Sequence, residues 1–436
     1  MWKTTMTRLA RVASLLLGTL LLAAQAGAAA NVESEAPRSS QSGYDKISQF
    51  GGPDGVSGQL RSNDELRAAG YDFAVLQRAW KPYFDWKRDL KDNRGIAFGF
   101  NLWGLYQHAS EVKPNTEDDA LGGIFRFQGV WKLLGRNGRG SSGRIEWRLE
   151  TRGNIGDNVA PATLGENVGT IRLNTGFPYN QSFHLDMSVL NWTQGFIDNR
   201  VGYAVGRLAF DAYLDANTFQ TPTGGFLNRG FFLNPTLPTT GVGALGLVAE
   251  AFVTENIRIG GQIYDANAQN GNWDYDTFQE HEFITAAEIG WSPSRARHQK
   301  DLVQLTYWAK DRLDNMATQS QPGHGLAMTW TWQFQRWTPF FRYGNSNGGG
   351  GVAARKYAAT GFKVQALFDQ MISAGAAWSE PADQTLRDEY AFEVSYVYQL
   401  SQNFSLTPDI QLVIDPADNP AESKSWVLGL RALMKL

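Results

Sequence analysis

The chain of 436 residues has no cysteine, which excludes a disulfide scaffold, a dithiol redox motif and a cysteine-ligated metal site. It also lacks an excess of charge. Forty Lys and Arg face 43 Asp and Glu, a formal net charge of −3, without the basic surplus of a nucleic-acid binder. Past the N-terminus no apolar run approaches the ~20 residues of a membrane helix. That leaves membrane β-strands open, because these are short and alternate in polarity. Glycine, at 46 residues, and aromatics, at 13%, are abundant.

Residues 1–28 read as a secretory signal peptide. Lys3, Arg8 and Arg11 form a basic start, Val12 to Ala24 is apolar, and Ala24-Gln25-Ala26 and Ala26-Gly27-Ala28 offer small-residue cleavage sites. Cleavage after Ala28 leaves 408 residues with 37 basic against 43 acidic groups. With no cysteine for lipid attachment, this leader points to a Gram-negative envelope. Residues 29–95 read as a periplasmic lead-in. The stretch 31–63, rich in Ser, Gly, Asn and Asp, is expected to be disordered. Asn63-Asp64-Glu65 is expected to cap a first short helix running to Ala69, and Asp85 to Asp92 a second that stops near Asn93 and Gly95.

From Ile96 to Leu436 the hydrophobic period is two. Ile145, Trp147 and Leu149 alternate with Glu146, Arg148 and Glu150; Trp426, Leu428 and Leu430 share a face opposite Arg431. Marking all such segments gives about sixteen strands of roughly ten residues, the length that crosses a bilayer at a tilt. The connections alternate: 109–119, 156–182, 210–240 and every second one after them are long and polar, whereas Asp198, Thr254-Glu255 and Ser401-Gln402 mark tight turns. The fold class is therefore all-β, a transmembrane antiparallel β-barrel of about sixteen strands with short N-terminal helices. Trp103, Tyr106, Trp291, Trp308, Trp337, Tyr343 and Trp426 sit near strand ends, as interfacial girdles require.

Three stretches carry a family resemblance. Asp85-Trp86-Lys87-Arg88-Asp89-Leu90 with Arg94-Gly95-Ile96-Ala97-Phe98-Gly99-Phe100 resembles the helix and first strand of the OprB-type carbohydrate-selective porins. Gly195 to Val201 with Gly206-Arg207-Leu208 and Phe210-Asp211 resembles that family's tight turn and strand end, and Leu406 to Gln411 with Trp426 to Arg431 its final hairpin. Lys87-Arg88 replaces the family's Gly-Gly step, and Leu436 its customary terminal Phe. The resemblance implies an outer-membrane monomer or trimer that lets small saccharides diffuse passively, with lipid and the barrel-assembly machinery as further partners.

Charged residues gather on one strand parity. Arg126, Glu146, Arg148, Glu150, Arg152, Asp186, Glu250, Arg258 and Glu288 must face the lumen, since Arg or Lys in mid-bilayer costs ~2–4 kcal/mol; Arg207 ends its strand. They are open to two readings: an ion-pair network stiffening the wall, or ladders that replace a sugar's hydration. The connection 210–240 occupies, by analogy with porin-like barrels, the place of a loop folded inward as an eyelet. Asp211, Asp215, Asn217, Gln220, Asn228 and Arg229 could line it, packed by Phe210, Tyr213, Phe219, Phe226, Phe231 and Phe232.

Other chemistry fails on context. Gly241 to Gly246 fits a dinucleotide motif but opens a strand. The five His lack metal-ligand spacing. Asp415, Asp418 and Asn419 read as a proline-bounded turn, so neither cofactor nor metal is expected. A barrel enzyme would need His184 with Ser182 or Ser188, and no nucleophile elbow accompanies them. The alternatives kept open are a general or acid-selective porin and, behind it, that enzyme.

Overall fold

The computed structural model describes residues 40–47, 50–71, 74–135, 141–171, 173–179, 185–221, 223–239, 243–270, 277–314 and 319–436. The expected signal segment, Ser182 and His184 lie outside them.

Sixteen antiparallel strands form a closed barrel: β1 (Ile96–Ala109), β2 (Asp119–Leu134), β3 (Ser142–Asn154), β4 (Asp186–Phe196), β5 (Val201–Leu208), β6 (Ala244–Phe252), β7 (Ile257–Asp265), β8 (Phe283–Trp291), β9 (Leu302–Lys310), β10 (Gly323–Thr331), β11 (Trp337–Ser346), β12 (Ala354–Gln365), β13 (Met371–Pro381), β14 (Glu389–Ser401), β15 (Phe404–Ile414) and β16 (Lys424–Lys435). Each strand pairs with its sequence neighbour, and β1 closes on β16 in the register Leu105↔Arg431. Leu436 completes the seam by exchanging backbone bonds with Phe100 (2.7 and 2.9 Å). Closure pairs every ladder and leaves no edge in lipid.

Alternation sorts the side chains as it would in no soluble protein. Leu102, Ile410 and Leu428 are about half exposed on the outside, whereas Gln107, Gln128, Arg342 and Gln411 are fully buried within. The outer face is therefore apolar and the inner face polar, the pattern of a barrel solvated by lipid. Tyr106, Trp291, Trp337, Tyr343 and Trp426 are exposed on the outside as expected of girdles. Trp103 and Trp308 are not. Each is buried on the inner parity, Trp103 with Asn101 and Gln107, Trp308 with Gln304 and Thr306, and the Arg126 guanidinium lies 5.0 Å from the Trp103 ring.

Turns are tight on one side, as at Phe368 and Asp369, both at positive φ (56° and 54°), the backbone that matches strand twist in a short hairpin. The helices before the barrel differ from expectation. Helix α1 spans Val56–Asp64, so Asn63 and Asp64 end a helix instead of starting one. The Asp64 carboxylate accepts the Ser42 and Tyr44 N–H groups (both 2.8 Å), which commits it to the preceding segment. Helix α2 spans Ala74–Asp89, continues through a wider turn to Arg94 and stops at Gly95, whose φ of 75° suits a helix end. A short helix α3 (Pro161–Val168) lies in the connection between β3 and β4.

Candidate functional site: the lumen and its insertions

The lumen wall carries the charged residues in clusters. On β2 and β3, Arg126 pairs with Glu150, Arg152 with the other Glu150 oxygen (2.5 Å), and Arg144 with Glu146 (2.7 Å). Arg148 donates to Gln128 (3.0 Å). On β4 and β5, Asp186 and Arg207 approach to 3.6 Å. Across the barrel, Arg258 bridges Glu250 (2.8 Å) and Glu288 (3.3 Å), and Thr306 donates to Glu288 (3.0 Å). Mixed-sign pairs thus share the inner face of the wall.

The connection after β5 is buried along most of its length, and its anchors lie on distant strands, so it folds into the lumen. Asp215 is its main fixing point. Its carboxylate accepts from Arg342 on β11 (2.6 Å) and Thr329 on β10 (2.7 Å), while its N–H donates to Glu288 on β8 (2.6 Å). Further along, Glu393 on β14 accepts the Leu227 (2.6 Å) and Asn228 (2.9 Å) N–H groups, and the Asn228 amide donates to Gln411 on β15 (3.0 Å). Phe219, Phe226 and Phe231 pack with Phe340 from β11, Phe219 at 4.6 Å and Phe226 at 5.9 Å between centroids.

The individual loop residues have separate jobs. Asn217 accepts the Phe219 N–H (3.0 Å) and Gln220 donates to the Leu214 carbonyl (2.8 Å), so both shape the loop. Arg229 stacks over Phe177 at 4.5 Å. Asp211 is half-buried, and burial pushes its carboxyl above the usual carboxylate range against the opposing pull of Arg229. Asp215 has its charge consumed by Arg342, both side chains being fully buried.

Two insertions escaped the sequence reading. The connection between β3 and β4 also turns inward: Glu389 accepts the Ile171 (3.0 Å) and Leu173 (3.1 Å) N–H groups, and the Thr175 carbonyl accepts from Gln107 and Gln411. Its buried Leu164, Val168 and Leu173 were the available signal. The second is residues 50–64, expected to be a disordered lead-in. They lie against the lumen wall: Asp54 pairs with Arg126 (2.8 Å), Ser57 donates to Glu146 (2.8 Å), Gln59 accepts from Asn101 (3.3 Å), and Gly52 donates to the Ala212 carbonyl (2.5 Å). From there residues 65–71 run along the tight-turn side, where Gly70 and Tyr71 donate to the Gln399 and Leu400 carbonyls (2.9 and 3.1 Å).

Between these insertions and the wall a cavity of about 200 Å³ opens at the tight-turn side, among Phe50, Arg144, Gln194, Asn199, Phe252 and His298. A second, small pocket of about 10 Å³ lies where Gly51 and Tyr213 face Glu250, Arg258 and Glu288. Such a space admits about one water. Of the enzyme candidates, Ser188 is buried, and among the described residues its hydroxyl donates to the Arg148 carbonyl (3.5 Å).

A closed sixteen-stranded barrel with a polar lumen and an inserted loop defines the porin class. Residues 345–436 match the family model "Carbohydrate-selective porin, OprB family". Among solved structures, the high-pH form of Pseudomonas putida OprB aligns with 81% of this chain and 97% of its own at 13% identity, TM-score 0.65. Its low-pH form aligns over the same shares at 13% identity, TM-score 0.48. A mutant of the Rh. blastica porin aligns over 78% of this chain and all of its own at 11% identity, TM-score 0.43. No curated protein matches the chain. The fold is therefore that of the outer-membrane porins, a closed sixteen-stranded antiparallel barrel.

Proposed function

We propose that this porin passes small saccharides by passive, selective diffusion. The observation that carries the reading is the lumen at the inserted loop, where guanidinium, carboxylate and amide groups alternate on facing walls beside aromatic rings. Sugars carry no charge but many hydroxyls, and such a surface supplies donors and acceptors that replace water as the solute passes. Asp211 and Arg229 on the loop, with Arg126, Arg148, Glu150, Glu250, Arg258 and Glu288 on the wall, are the proposed solute path. Asp215, Asn217, Gln220 and Asn228 hold the loop that narrows it.

Swelling of proteoliposomes in isotonic solutes tests this. Hexoses should enter faster than acyclic polyols of equal size. Rates set by size alone would leave a general porin without sugar preference.

A further inference from the structure

The β2–β3 wall is unbalanced. Its inward side chains include four guanidinium groups, Arg126, Arg144, Arg148 and Arg152, but only two carboxylates, Glu146 and Glu150. Glu150 is shared by Arg126 and Arg152, and Glu146 serves Arg144. Among the described residues Arg148 has no wall carboxylate at ion-pair distance, and donates to Gln128 instead. A buried cation left uncompensated is costly, and the compensation comes from outside the barrel strands. Asp54 places its two carboxylate oxygens 2.8 Å from Arg126 and 3.8 Å from Arg148, and its carbonyl accepts from Arg148.

Resting on the porin reading above, we propose that Arg126 and Arg148 form a carboxylate-binding subsite for acidic saccharides, and that Asp54 occupies it as a tethered competitor. The surroundings fit a hydroxylated acid better than a plain one. The Gln128 Nε2 beside Arg148 is buried with no hydrogen-bond partner among the described residues, and can donate to a hydroxyl. Two guanidinium forks match a carboxylate geometrically.

The competitor is also an obstruction. Residues 50–64 lie against the lumen wall on this side, and Gly51 and Tyr213 border a small pocket of about 10 Å³ beside Glu250, Arg258 and Glu288. In this proposal the segment withdraws when a solute carboxylate takes the place of Asp54. Withdrawal has to break, besides the Asp54 pair, the bonds of Ser57 to Glu146, of Gln59 with Asn101 and Thr221, of Asn63 to Asn101, and of Gly51 and Gly52 with Gln299 and Ala212, each worth ~0.5–1.5 kcal/mol net, and to uncover the buried Phe50, Val56 and Leu60.

The test uses the full chain in planar bilayers, with glucuronate and glucose as probes. Asp54→Asn should raise the time spent in the open state, lower the glucuronate concentration for half-block at least threefold, and change that for glucose less than twofold. Adding Arg148→Gln should abolish the glucuronate gain. Equal change for both sugars, or none for glucuronate, overturns the subsite.

A second variant works even if Asp54→Asn folds poorly. A Cβ built on Gly55 lies 3.9 Å from the Ala212 Cβ, within the ~3.5–4.5 Å of a disulfide, and the chain has no other cysteine. Gly55→Cys with Ala212→Cys should block glucuronate and glucose when oxidised and pass both after reduction. Equal passage in both redox states overturns the withdrawal. Should neither sugar enter through the reduced or parent protein, the saccharide reading itself falls. A change confined to glucuronate bears only on the subsite.

Discussion

Two aspartates fix two insertions to opposite walls of the barrel, and their settings differ. Asp215 holds the β5–β6 connection. It is fully buried, as is Arg342, and three separate strands contribute its partners. Asp54 holds the segment before the barrel. Its side chain is 11% exposed, one of its two arginines stands off at 3.8 Å, and both arginines lie on neighbouring strands. The same residue pair thus serves as a permanent rivet on one side and a releasable catch on the other. Burial and the number of strands engaged separate the two, not the chemistry of the contact.

The comparison is broken most severely at the rivet. Asp215→Ala leaves Arg342 buried and uncompensated, a loss of ~3–5 kcal/mol. The unboiled barrel should then lose its shifted mobility in SDS gels at a lower temperature than the parent, whereas Asp54→Asn, which leaves Arg126 its Glu150 partner and Arg148 its Gln128 bond, should lower that temperature less. A control on wall stability comes next in size. Leu428, half exposed on the outer face of β16, tolerates no charge, so Leu428→Arg should cost ~2–4 kcal/mol and reduce outer-membrane yield. Arg431→Gln, on the inner face of the same strand, should reduce it less. Similar losses would mean the two faces are misassigned.

Ion selectivity sharpens the contrast further. Asp215 is neutralised by Arg342, but Asp211 is half-buried with its carboxyl raised by burial. Asp211→Asn should shift reversal potentials toward anions at neutral pH. In the parent the same shift should appear as pH falls through the raised value, at a pH above the ordinary 3.8.

The smallest effect concerns α2. Lys87 is buried with its ammonium 4.9–5.6 Å from the rings of Tyr44, Tyr83, Phe84 and Phe98, and burial lowers it to about 8 from 10.5. Between these values the undocked helix binds more protons than the docked one, so docking strengthens as pH rises from about 8 to 10.5. Proteolysis of residues 65–90 should slow over that window, and Lys87→Met should remove the dependence.

What could be read from the sequence follows the same division. The wall was legible because lipid imposes it: Leu428 outward and Arg431 inward is a period-two pattern that no other solvent demands. All sixteen strands were legible for that reason. The insertions are packed by irregular backbone, where no periodicity exists to find. Asp54, Glu389 and Glu393 work through contacts 72, 218 and 166 residues distant, so nothing near them announces a role. Trp103 and Trp308 misled because a tryptophan near a strand end satisfies the girdle pattern whichever way it points. Only parity decides, and parity places both inside.

The most direct test of the central claim is a titration of single-channel current with glucose on the parent protein. A mixed-sign lumen that binds sugar as it passes predicts current block that saturates with concentration, half-block falling within the soluble range. A current that declines only in proportion to the viscosity of the added sugar, with no saturation, would contradict it.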